Sequence, residues 1–203
     1  MGTNTFVEID LPEAADLADL TGIQVDLATA RDFAQMLKKI FESKKPDWNL
    51  VDPLSTAVLV RYSRLFVTGV RARLGEEALQ TLSGPQREKH IRLRAFRDKH
   101  IAHSVNAFED NQPVARYWVE RVKEEGITSV ECNHTRIAGL SSDDVEAVIE
   151  LTTVMLSYVD ARLKEEKAKV LEIVRKMPAE EVLSGSKGPR HPDMKSIHKR
   201  RPK

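Results

Sequence analysis

Residues 140–177 hold the pattern that most restricts the fold. Leu140-Ser-Ser-Asp-Asp is a helix start, and after it Val145, Val148, Ile149, Thr152, Leu156, Val159 and Leu163 recur at three- and four-residue spacing. Val170, Val174 and Met177 extend the stripe. That period marks a helix with one apolar face. From about 142 to 177, at 1.5 Å per residue, it reaches roughly 50 Å. A chain containing such a helix must supply other helices to cover the stripe, and any overhang needs something further to pack against.

Three segments offer that cover. The first, about 27–43, aligns Phe33, Leu37, Ile40 and Phe41 and stops before Lys44-Lys45-Pro46. The second takes Asp52 as N-cap and Pro53 as its first helical residue, then carries Leu54, Val58, Tyr62, Leu65 and Phe66 towards Leu74. Ser83-Gly-Pro-Gln86 has capping-box spacing, so a third helix is predicted from near Pro85 through Ile91, Ala95 and Phe96. Beyond it the period falls to two. Ala115, Tyr117 and Val119 alternate with Arg116, Trp118 and Glu120; a turn at Lys123–Gly126 follows, then a return strand over Ile127–Cys132. The predicted fold is mainly α: an up-down bundle of about four helices, with a small β-hairpin (about 114–133) inserted before the long last helix.

Charge sets the expected domain organisation. The formal net charge is +1, but residues 184–203 carry seven Lys/Arg and one Asp, which leaves −5 on the rest. No Lys or Arg precedes Arg31, whereas Glu8, Asp10, Glu13, Asp16, Asp19 and Asp26 do. An acidic arm over 1–26, a bundle over 27–177 and a basic flexible tail over 178–203 are therefore expected. The tail reads either as a polyanion-binding element acting by counterion release or as a solvated terminus. A length of 203 residues suits one domain. Cys132 is the single cysteine, so no internal disulfide is possible, and it is expected as a small buried apolar residue. With no leader-like start and no apolar run of spanning length, a cytoplasmic protein without a membrane partner is expected.

The chemistry-bearing stretch is Phe96-Arg-Asp-Lys-His-Ile-Ala-His-Ser104. An Arg with a His after four to six intervening residues is a weak signal alone: chance gives roughly one or two such pairs in a chain of this composition. Arg94–His100 and Arg97–His103 are the two present. The context is more telling, because Arg97 is followed directly by Asp98, at the C-terminal part of a predicted bundle helix. Arg97-Asp-Lys-His-Ile-Ala-His103 in that setting resembles the HEPN family of helical-bundle ribonucleases, in particular those of toxin–antitoxin and abortive-infection systems. The resemblance covers about 27–165. It implies a metal-independent endoribonuclease, with Arg97, Asp98 and His103 as catalytic residues and the motifs of two protomers meeting across a two-fold interface. RNA, a second copy of the chain and an antitoxin or regulatory protein are the partners it implies. Inactive relatives share the motif.

The residue types suit that chemistry independently of the name. The ribose 2′-OH is a nucleophile built into the substrate, and an imidazole titrating near neutrality can take its proton or protonate the leaving 5′ oxygen. His103 is the candidate. Arg97 offers forked, permanently charged donors to the non-bridging phosphate oxygens, and Asp98 is placed to hold either group. Six residues of a straight helix turn through roughly 240°, so Arg97 and His103 share a site only where the helix ends, bends or meets a second protomer. Arg94, His100, Arg61 and Arg64 are candidate phosphate-binding residues, for which a solvated face is the competing reading. The competing reading for the motif itself is an exposed Arg97–Asp98 ion pair and a helix-end histidine. No cofactor is expected. Nor is a metal: His100, His103, Cys132 and His134 match no standard zinc spacing. A non-catalytic helical interaction protein is the alternative function.

Overall fold

The computed structural model describes residues 7–9, 11–67, 72–98, 109–136 and 139–184. The chain is mainly helical, with one two-stranded antiparallel sheet before the long last helix. Four helices form the bundle: α1 (Ala15–Glu42), α2 (Val51–Ser63), α4 (Gly84–Phe96) and α6 (Ser142–Lys176), with a short α3 (Glu76–Gln80) between α2 and α4. Strands β1 (Glu109–Arg116) and β2 (Ser129–Arg136) flank a connection holding the one-turn α5 (Val122–Glu125), and α7 (Ala179–Ser184) follows α6.

α6 forms where its stripe and cap require. The Ser141 side chain accepts from the Asp144 amide, and the Asp144 carboxylate accepts from the Ser141 amide, both at 3.2 Å, so orphan N–H groups at the helix start are satisfied reciprocally. Val145, Val148, Leu151, Met155, Val159 and Leu163 are buried along one face. α4 is capped the same way by Ser83 and Gln86.

α1 is the main cover for α6, and here the sequence reading needs correction. The helix starts at Ala15, after a 3-10 turn at Pro12–Ala14, rather than near residue 27. Ile23, Asp26 and Leu27 are buried, so most of the expected acidic arm belongs to the bundle. α1 lies antiparallel to α6: Gln24 donates to Asp160 at 2.6 Å and Lys38 pairs with Glu146 at 2.6 Å. The same register sets Val170 opposite the Pro12–Ala14 turn, which touches α6. The expected overhang therefore has its cover within the chain, and Leu163 and Val170 are buried. Ala30 and Ala34, both fully buried, keep α1 narrow at the centre of the packing.

α2 also differs from expectation at both ends. Asp52 is not its cap: the helix begins at Val51 out of a 3-10 turn (Trp48–Leu50), whose own start is capped by Asp47 accepting from the Asn49 amide at 3.1 Å. Pro53 falls inside the first turn, where it removes no intrahelical bond. The helix stops at Ser63. Leu65 and Phe66 are still buried, but from a turn, and the Leu74 amide returns to the Leu65 carbonyl at 2.8 Å. In α4 the inward residues are His90 and Leu93, while Ile91 is 64% exposed.

The hairpin is longer and shifted: its strands run 109–116 and 129–136, and Tyr117 to Thr128 form the connection. Cys132, expected as buried, is exposed. Gly139 returns the chain to the bundle with φ +108°, a conformation that suits glycine. A Cβ there would lie 2.6 Å from Ser55 Oγ, which accepts from the Leu140 amide at 2.9 Å. No described helix is long and apolar enough to cross a membrane.

Candidate functional site

The described part of the Arg–His motif sits where α4 loses regular geometry. Regular α pitch ends at Phe96, and Arg97 and Asp98 lie in a wider π-helical turn, a local widening that recurs at functional sites. The Arg97 amide still bonds back to Leu93 and Arg94 carbonyls. Its side chain is 34% exposed, and Nη1 donates to Asp98 Oδ1 at 2.9 Å. A guanidinium held by one edge keeps its remaining donors for another anion. His100 and His103 lie outside the described residues.

The other basic candidates occupy different positions. Arg94 lies over the Phe66 ring, 5.8 Å from its centroid, a cation–π placement. Arg61 and Arg64 both turn to Asp26 of α1: Arg61 Nη1 is 2.8 Å from Oδ1 and Arg64 Nε 3.2 Å from Oδ2. Asp26 is almost wholly buried, whereas the two arginine side chains are nearly half exposed. They therefore act first as counterions that let a carboxylate lie between α1 and α2. Among the described residues, no ion pair or hydrogen bond links Arg97 or Asp98 to Arg61, Arg64 or Arg94.

Sequence reasoning missed the polar cluster that backs α4. His90 is 4% exposed, its Nδ1 shares a 2.8 Å hydrogen bond with the Tyr62 hydroxyl, and its ring lies edge-on to Phe66 at 4.5 Å between centroids. Burial, aided by the nearby Arg94 charge, pushes the His90 pKa down to about 4. Burial likewise pushes the Tyr62 hydroxyl upwards, against the opposing pull of Arg94. Both groups are thus neutral near pH 7, as a dry contact between two helices requires. The available signal was positional: His90 precedes Leu93 by three and Arg94 by four, one helical face.

A shallow groove of about 380 Å³ lies between α4 and the start of α6, lined by Lys89, Arg92, Asp143, Asp144, Glu146 and Ala147. Four of its five charged side chains are already paired: Arg92 with Asp144 at 2.9 Å, Lys89 with Glu150 at 2.6 Å, and Glu146 with Lys38. Hydrogen bonds from Lys89 and Gln86 hold the Glu150 carboxyl below its usual range. The groove contains no residue of the motif. Among the described residues no cluster of three metal-ligating side chains occurs, and His134 Nδ1 is 2.7 Å from Asn111 Oδ1. No family model, curated protein or solved structure matches the chain.

Proposed function

We propose that the protein is a metal-independent endoribonuclease of the HEPN type, a toxin or phage-defence effector acting as a homodimer in the cytoplasm. The observation that carries this reading is Arg97, partly exposed and anchored to Asp98 at the widened turn that ends α4. Regular α pitch ends at Phe96, and the reading requires the chain beyond this turn to bring His103 to the side of Arg97.

In the proposed reaction His103 takes the proton of the ribose 2′-OH, the O2′–P bond forms and the P–O5′ bond breaks. The leaving 5′ oxygen takes up a proton, and a 2′,3′-cyclic phosphate remains. Arg97 steadies the charge that builds on the non-bridging oxygens, and Asp98 orients Arg97. Arg94 and His100, with Arg61 and Arg64, are the proposed phosphate contacts, the last two through whatever guanidinium edge Asp26 leaves exposed. The second copy completes the site, and an antitoxin or regulatory protein restrains it. Purified protein should therefore cut single-stranded RNA in EDTA, leave cyclic phosphate ends and spare the equivalent DNA. Activity that is lost with chelator and restored by zinc would overturn the reading.

One observation favours the non-catalytic alternative. The hairpin connection exposes Tyr117, Trp118, Val119 and Ile127, which suits an interaction module. A folded dimer that cuts no RNA would select it.

A further inference from the structure

The hairpin is under-supported. Among the described residues neither strand packs extensively on a helix, and from Asp110 to Thr135 only Val114, Gly126 and Ser129 are even partly covered, with the side chain of Val122 not described. A lone two-stranded hairpin is marginal in water; a third strand and an apolar face are the usual remedy.

Its two edges are not equivalent. Pro113 stands in the middle of β1, directly opposite Cys132. Proline has no amide hydrogen, so it belongs at a pair whose backbone groups face away from the partner strand. The Arg116 carbonyl, which accepts from the Thr128 amide at 2.9 Å beside the Arg116–Ser129 pair, faces the other strand, in keeping with the same alternation. The outer edge of β1 is thus interrupted by a proline, a common block to edge pairing. On β2 the outward backbone groups belong to Val130, Cys132 and His134, none of them proline. That edge is open.

We infer that the open edge of β2 pairs antiparallel with β2 of a second copy of this chain, about a two-fold axis at Cys132. This centres the strand on itself. Val130 then faces the partner's His134, and Glu131, held by Arg116 at 2.9 Å, faces the partner's Asn133; no charge directly meets its own sign. Val130, Cys132, Ala115 and Pro113 lie on one face by the observed register, so pairing joins two small apolar faces into one on a four-stranded sheet. The inference is independent of the cleavage chemistry.

The sole cysteine reports on the axis. Facing residues at a hydrogen-bonded pair have Cα atoms about 5.5 Å apart, inside the span of a disulfide, about 4.4–6.8 Å. Full-length protein at tens of micromolar, treated with a mild oxidant or a short bismaleimide, should give a covalent dimer. Val130→Pro removes an outward amide and should cut that yield at least tenfold with the helical circular dichroism unchanged. Asn133→Glu sets carboxylates against the partner's Glu131 and should weaken the dimer about three- to tenfold, while Asn133→Lys should tighten it by a similar factor. A monomeric mass, a dimer that does not cross-link through Cys132, or Asn133 variants that shift the dimer in the same direction would each overturn the inference.

Discussion

The bundle and the hairpin are built on opposite terms. Along α1 and α6, buried side chains recur over the length of both helices, and the ion pairs lie at the margins of an apolar seam. In the hairpin the backbone ladder is complete, yet Val130 is 73% and Trp118 62% exposed. Hydrogen bonds alone contribute little net stability, because water satisfies the same groups in the unfolded chain; apolar burial makes the difference. The bundle is therefore self-sufficient, whereas the hairpin, among the described residues, has little apolar burial of its own. The Arg–His motif lies between them in sequence.

The sharpest test of this contrast is truncation on each side of it. Leu151→Ala, at a fully buried position of α6, should cost about 3 kcal/mol by denaturant unfolding, in the range of about 2–5 for such changes. Acid should act nearly as strongly through His90. The unfolded ring binds its proton near pH 6.5 and the folded one only near 4, so the unfolded state takes up the proton first. His90's contribution is fully present above about pH 6.5 and falls by roughly 3 kcal/mol as the pH drops to about 4. His90→Phe should remove that slope while the carboxylates' share of acid unfolding persists. Ser141→Ala removes one partner of the α6 capping box and should cost about 1 kcal/mol. Trp118→Ala, in the hairpin connection, should change stability by less than about 0.5 kcal/mol; a larger loss would mean that the hairpin supports the bundle after all.

What was legible in the sequence was local. α6 runs within a residue of its predicted bounds because a serine cap and a sustained period specify it without help. The Ser83 capping box fixed the start of α4 for the same reason. What failed depends on distant partners. Residues 15–26 looked like an arm because acidic residues without basic ones suggest solvent. Asp26 nevertheless sits between Ile23 and Leu27 on the inner face, and its neutralising arginines come from the end of α2 and the residue just after it, 35 and 38 positions on. Leu65 and Phe66 kept a helical period although α2 had ended, since burial alone maintains the pattern. Cys132 is apolar enough to suit a core, but among the described residues no helix packs extensively on the hairpin that carries it, and it is exposed. Of the candidate site, Arg97 and Asp98 were read as catalytic, with an exposed ion pair as the competing reading, and the contact between them is that ion pair. Arg61 and Arg64 were placed with the substrate because nothing in α2 shows the aspartate they face.

His103 is the residue on which the proposed cleavage depends most. Single-turnover cleavage of a single-stranded RNA in EDTA should be at least about a hundredfold slower for His103→Ala than for the unaltered chain, the scale for a positioned acid–base group. Melting temperature and oligomeric mass should stay the same, and His100→Ala should cleave nearly as fast as the unaltered chain. Cleavage by His103→Ala at the unaltered rate, or its loss only through unfolding, would contradict the proposal.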